Sequence, residues 1–192
     1  RETGVSPHRA LLRVSRCLRK VETVPRVLIV MGSDSDLRTM KGAADALVEL
    51  GVEYEIHVAS AHRTPEKISA LVASAAANGF GAIIAGAGSA AHLPGVVAAN
   101  TALPVIGVPI ASGALNGVDA LYAIVQMPKG IPVATVAIDG AYNAGLLAAQ
   151  ILAGADSALA ERLIAHRRTL AEQVESKDAK LQEIGIVAYL AQ

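Results

Sequence analysis

Four short segments of this 192-residue chain combine reactive side chains with the small residues that let a ligand reach the backbone. Ser60-Ala61-His62-Arg63-Thr64-Pro65 sets an imidazole beside a guanidinium. Imidazole is the side chain suited to proton transfer near neutral pH, and guanidinium holds phosphate through parallel N–H bonds. Met31-Gly32-Ser33-Asp34-Ser35-Asp36 offers main-chain amides at a helix start for an anion. Ser33 adds a hydroxyl there, and Asp36 can accept a hydrogen bond from a ribose hydroxyl. In Gly86-Ala87-Gly88-Ser89-Ala90-Ala91-His92-Leu93-Pro94-Gly95 the small residues admit a ligand to the main chain, where turning amides form an anion-holding nest. The segment from Pro109 to Asn116 adds Ser112 and Asn116 with less specificity.

Each segment also has a purely structural reading. Ser33 and Asp36 are preferred helix caps, and two acids beside a phosphate are electrostatically unfavourable. Ser60 to Pro65 can be a capped helix start with an exposed histidine and arginine. The Gly/Ala run would equally serve tight packing of a helix on a sheet. His92, taken by itself, reads as a half-buried histidine satisfied within the fold. Other chemistries fit poorly. Gly86-Ala87-Gly88 lacks the third glycine and distal acid of a dinucleotide fingerprint, and no Walker A lysine or Gly-x-Ser-x-Gly elbow is present. No carboxylate stands at a spacing that would support His62 and His92 as metal ligands, so neither metal nor cofactor is expected. The residues point to a small, phosphorylated anionic ligand and histidine-mediated proton transfer.

These segments must be held by something rigid. Residues 27–31 form an unbroken apolar run ending at Gly32, the mark of a strand buried on both faces. Further strands are expected over 53–59, 82–85, 104–108 and 132–138. Helices are expected over 37–50, 65–78, 92–100, 117–125 and 143–153. Strands alternating with helices imply a parallel sheet with right-handed crossovers, hence a three-layer, doubly wound α/β domain of the flavodoxin or Rossmann kind over residues 25–155. All four segments then fall at the carboxyl ends of strands, where such sheets bind ligands.

Composition narrows the class further. The chain is 53% hydrophobic and 18% charged with a mean hydropathy of +0.44, which excludes a disordered polymer. One cysteine, Cys17, excludes an internal disulfide framework. With no Trp, one Phe and a body of net charge −4, nucleic acid is not an expected partner. Residues 1–24 carry the balancing basic charge and read as a disordered extension outside the fold. Between Lys67 and Asp119 lie 51 residues with no Asp, Glu, Lys or Arg. Gly and Pro cut that stretch too often for a membrane span, so it is expected to be covered by other subunits of a homo-oligomer. Residues 156–183 are charge-rich with a narrow apolar stripe at Leu159, Leu163, Leu170, Val174 and Leu181. They form a helical arm (156–192, broken at Gly185) that packs against a neighbour or along its own domain.

Taken together, Met31 to Asp36, Ser60 to Pro65, Ala85 to Gly88, Ala90 to Gly95, Ile124-Val125-Gln126-Met127-Pro128 and Asn143-Ala144 resemble the class I N5-carboxyaminoimidazole ribonucleotide mutase family of purine biosynthesis. The resemblance runs in order from about Arg26 to Leu152. It implies a reversible shift of a carboxylate from the exocyclic N5 to ring carbon C4, giving 4-carboxy-5-aminoimidazole ribonucleotide without ATP, metal or other cofactor. By the same resemblance His62 is the catalytic residue, and Ser33, Asp36 and Arg63 bind substrate. Ser60, Gly88, Ala90, His92 and Leu93 match further pocket positions, and Ser89 is expected to line the pocket with them. A homo-octamer in the cytoplasm, bound neither to membrane nor to nucleic acid, is the implied setting. Ser89 departs from the pattern, which has a second glycine there. That departure leaves open a class II carboxylase acting on aminoimidazole ribonucleotide and free carbon dioxide. A non-catalytic nucleotide-binding module is the remaining alternative.

Overall fold

Strand β1 (Arg26–Met31) explains the whole architecture in miniature. Val27 through Met31 are all fully buried, with Val27, Ile29 and Met31 in one apolar cluster and Leu28 and Val30 in another. A strand buried on both faces needs a layer on each side, and each such side chain contributes roughly 1.5–3 kcal/mol on leaving water. The computed structural model describes residues 25–192, so the basic extension over 1–24 lies outside the described residues.

The elements follow in the order β1, a 3-10 turn (Asp34–Asp36), α1 (Leu37–Glu49), β2 (Tyr54–Val58), α2 (Pro65–Ala75), β3 (Phe80–Gly88) and α3 (Leu93–Ala99). Then come β4 (Val105–Ile110), α4 (Val118–Val125), β5 (Ala134–Thr135), α5 (Ala141–Ala153) and α6 (Ser157–Leu190). The five strands are all parallel in the order β2-β1-β3-β4-β5. Helices α1 and α5 cover one face around Met40, Leu47, Ala144 and Ala148. The other face packs under α2, α3 and α4 through Ile68, Val72, Leu93, Val97, Ala120 and Ile124. This is a flavodoxin-like, doubly wound sheet. Its chain direction across the sheet reverses between β1 and β3, which opens a crevice at their carboxyl ends.

Two strands depart from expectation. β3 runs from Phe80 to Gly88 rather than over 82–85, because β1 and β4 supply ladder partners on both sides as far as Gly86↔Met31 and Gly88↔Ile110. Its small residues are required by neighbours. A Cβ on Gly86 would collide with the Met40 side chain, and one on Gly88 would lie 2.5 Å from Ser112 Oγ. β5 shrinks from the expected 132–138 to two residues. It is an edge strand with a partner on one side only, and Asp139, at φ +56, turns its side chain back to accept the Ala111 N–H at 3.0 Å.

Helix α6 starts at an Asp156 cap that accepts the Ala158 and Leu159 N–H groups, at 2.9 and 3.1 Å. Its first turns dock on their own domain. Leu159 is fully buried, Leu163 packs on the core, and Arg162 Nε donates to the Leu50 carbonyl at 2.7 Å. Beyond that the stripe is uncovered in this chain, with Leu170 46% and Val174 65% exposed. Gly185 (φ 73, ψ 164) breaks the helix where expected.

Candidate active site

Sheet order converts distant sequence segments into neighbours. Because β1 lies between β2 and β3, the loops after all three strands meet at one end of the sheet, joined by the loop after β4. They enclose a cleft of about 390 Å³ lined by Gly32, Ser33, Ser35, Asp36, Ser60, Ala61, His62, Arg63, Ala87, Gly88, Ser89, Ala90, Ala91, His92, Leu93 and Ser112. The ten site residues named with the resemblance are among them, as is Ser112. Asn116 is not, and Leu93 gives the cleft little side chain, being 3% exposed with its body in the core.

The central feature is a pair of histidines. His62 Nε2 lies 2.7 Å from His92 Nδ1, the rings meeting edge to face with centroids 4.9 Å apart. His92 is therefore exposed and bonded to His62, not a half-buried histidine satisfied by the scaffold. One N–H hydrogen sits between the two rings. Two imidazolium rings have no lone pair for that bond, so the pair carries at most one extra proton while it persists. Sequence reading could not find this contact, because the two residues stand thirty positions apart on different loops.

Opposite charges flank the pair. Arg63 Nη2 donates to the Gly32 carbonyl at 2.8 Å, which lays the guanidinium across the end of β1 with its other N–H groups free for an anion. Ser60 Oγ accepts the His62 and Arg63 N–H groups at 3.3 and 3.2 Å, so its role here is to shape the turn carrying both. Ser33 caps the following 3-10 turn, accepting the Ser35 N–H and sitting 2.9 Å from the Ser35 hydroxyl. Of the two acids in that turn, Asp36 lines the cleft, while Asp34 is not among the lining residues and accepts the Ser33 hydroxyl at 3.3 Å. Burial pushes the Asp36 carboxyl above the usual aspartate value, only partly offset by hydrogen bonds from Ser35 and Ser33. A half-buried carboxylate with acceptor capacity to spare can take hydroxyl hydrogens from a ligand.

The loop after β3 is unusual. Ser89 and Ala91 have φ of +52 and +46, a left-handed conformation that side chains other than glycine adopt at a cost of about 1–3 kcal/mol. The Ser89 N–H donates to Ser112 Oγ at 3.0 Å and the Ala91 N–H to the Gly88 carbonyl at 3.1 Å. These two of the loop's turning amides are bonded within the protein. Ser35 and Ser112 are the polar lining residues that the sequence left unassigned or weakly assigned. Among the described residues, no cluster of three or more His, Cys, Asp or Glu side chains is placed to hold a metal ion.

The AIR carboxylase family model matches residues 26–173, which span the entire sheet and the first half of α6. The chain belongs to that family. An N5-carboxyaminoimidazole ribonucleotide mutase from Thermotoga maritima is 52% identical to it over 169 residues, covering 88% of this chain and 99% of the relative. The Haemophilus influenzae protein of the same name is 58% identical over 151 residues, 78% of this chain and 92% of its own length. Among solved structures, Treponema denticola PurE superposes with a TM-score of 0.75 at 32% identity, covering 82% of this chain and 98% of that one.

Proposed function

We propose that this AIR carboxylase family member is an N5-carboxyaminoimidazole ribonucleotide mutase of purine biosynthesis. The observation that carries the reading is the His62–His92 pair standing in one cleft with Arg63 and Asp36. A ribonucleotide offers a phosphate for Arg63 and the Ser33 turn, ribose hydroxyls for Asp36, and an aminoimidazole ring for the histidines. Ser60, Gly88, Ala90 and Leu93 form the wall against which that ring lies.

The chemistry needs one group that both gives and takes a proton. The bond between N5 and the carboxyl carbon breaks, its electron pair stays on N5, and His62 protonates the resulting amine as carbon dioxide is released. C4 then attacks the trapped carbon dioxide, and the neutral His62 removes the C4 hydrogen to restore the aromatic ring. The histidine ends as it began, and His92 takes up or returns the shared hydrogen as His62 changes state. Holding carbon dioxide against C4 makes recombination effectively unimolecular, a gain that can reach ~7–11 kcal/mol. Acid–base help of this kind contributes about 10²–10⁴ in rate.

A homo-octamer in the cytoplasm is part of the same proposal. It is supported by the charge-free stretch and by apolar side chains left bare on one chain. Leu115, Val118, Tyr122 and Val125 are 44–60% exposed around α4, and Leu170 and Val174 project on the arm. Among the described residues no helix is long and apolar enough to cross a membrane. One observation favours the class II carboxylase as a second reading, namely the Ser89 hydroxyl where the resemblance expects glycine. The test offers each substrate in turn. The mutase reading requires the carbamate to be converted to 4-carboxy-5-aminoimidazole ribonucleotide without added bicarbonate. Conversion of aminoimidazole ribonucleotide with bicarbonate, and not of the carbamate, establishes the carboxylase instead.

A further inference from the structure

The loops after β3 and β4 are tied by a pair of serines whose hydrogens can be counted. Ser112 Oγ accepts the Ser89 N–H at 3.0 Å, and the two hydroxyl oxygens are 3.2 Å apart. Ser112 stands close under Gly88, where any Cβ would come within 2.5 Å of its oxygen. Both serines line the cleft that holds His62 and His92. A hydroxyl has one hydrogen and two lone pairs. Either hydroxyl can donate in the 3.2 Å contact; in the arrangement where the Ser89 amide and the Ser89 hydroxyl both donate to Ser112 Oγ, both of its lone pairs are used and its own O–H is left for a ligand.

We infer that Ser112 is the residue that recognises the migrating carboxylate, donating its hydroxyl hydrogen to an anionic carboxylate oxygen. Ser89 acts through it as a positioning residue. Three observations converge on this assignment. The Ser89 and Ala91 amides, obvious candidates for an anion, are already committed to Ser112 and Gly88. Ser89 is held at φ +52, a strained conformation that its two contacts to Ser112 help to maintain. Ser112 is the less exposed of the two and lies in the loop two residues beyond β4, a strand buried along its whole length, so its backbone is anchored close to the sheet and its oxygen is held by the Ser89 N–H. A hydroxyl fixed in advance donates to a carboxylate without an ordering cost, and hydrogen bonds to charged groups are the strong ones. The inference rests on the reading of the cleft as a carboxyaminoimidazole ribonucleotide site, and it names the specificity element within it.

The test compares dissociation constants for two ligands that differ only in the carboxylate, 4-carboxy-5-aminoimidazole ribonucleotide and aminoimidazole ribonucleotide, by calorimetry on the full chain. Ser112→Ala should weaken the carboxylated ligand about tenfold or more and leave the other within about twofold. Ser112→Thr, which keeps the hydroxyl, should restore most of the preference. Ser89→Ala should change either ligand by only a few-fold, because the amide still orients Ser112. Unaltered preference in Ser112→Ala, or a loss of preference in Ser89→Ala and not in Ser112→Ala, overturns the assignment. Equal weakening of both ligands also overturns it, since that is the signature of a merely structural serine. If the unsubstituted protein binds neither ligand, the reading of the cleft falls, whatever the variants do.

Discussion

Two histidine sites in this protein use the same ring for opposite purposes. His62 and His92 sit on loops, exposed to the cleft, and bond chiefly to one another at 2.7 Å. His166 lies on α6 with its side chain only 8% exposed, and its Nδ1 is 2.9 Å from Glu49 Oε1. Glu49 also accepts the Tyr142 hydroxyl at 2.6 Å, so three helices, α1, α5 and α6, meet on one carboxylate. Those hydrogen bonds, first from Tyr142 and then from His166, hold the Glu49 carboxyl below its usual value. Burial together with the Glu49 carboxylate pushes Tyr142 up to about 12. Since Glu49 is an acceptor, Nδ1 of His166 must carry the hydrogen. Its Nε2 is buried and has no hydrogen-bond partner among the described residues. An imidazole that another imidazole can relieve of a proton is equipped for turnover. One clamped between helices by a carboxylate is equipped to hold the arm.

The comparison is broken most severely at His62. His62→Asn should lower turnover by about 10²–10⁴ while the thermal midpoint stays within a degree or two, because the side chain is exposed on a loop. Following the imidazole absorbance and the melting curve of the same sample checks both halves. If turnover survives, the histidine pair is not the acid–base group.

The arm should behave in the reverse manner. Leu159→Ala removes the one fully buried side chain of α6 and should cost about 2–5 kcal/mol in denaturant unfolding. Turnover per folded molecule should stay within about twofold, since the cleft lies at the carboxyl ends of the strands and the arm docks on α1 and α5. A proportional loss of activity would mean that the arm is coupled to the cleft after all.

Tyr142→Phe gives the smallest and most diagnostic effect. One hydrogen bond to a charged but half-exposed carboxylate is worth about 1 kcal/mol here. A raised tyrosine contributes stability that is complete below its ordinary value of 10.0 and is lost as pH climbs through about 12. Glu49, lowered from 4.5, contributes stability above that value that disappears as the solution is acidified through its folded value. The variant should therefore show a flatter fall in thermal midpoint on the alkaline side. It should also be flatter on the acid side, because Glu49 has lost its foremost partner. An unchanged pH profile would remove this triad from the stability of the arm.

Much of this division was legible before any coordinates. The apolar run at 27–31 needed burial on both sides, and the helical stripes between strands required a parallel sheet. The loops with His62, Arg63, Ser33 and Asp36 could be placed at strand ends because the alternation leaves nowhere else for them. What stayed hidden depended on which strand lies beside which. His92 read as a satisfied histidine because its partner is on another loop, and Ser112 drew little notice because its contacts to Ser89 cross from β3 to β4. The true length of β3 was masked by glycines that look like loop residues and are in fact demanded by Met40 and Ser112. Likewise, the apolar spacing at Leu159 and Leu163 did not say that docking stops there, with Leu170 and Val174 left uncovered.

Sequence alone determined the class of fold and the kinds of side chain available at one end of the sheet, because periodicity and turn chemistry are local and act on neighbours along the chain. The β2-β1-β3-β4 order, decided by the packing of whole strands and helices, made partners of His62 and His92, brought Ser112 under Ser89, and set His166 against Glu49. Those contacts join residues tens of positions apart, and their distances depend on the three-dimensional closure of the sheet.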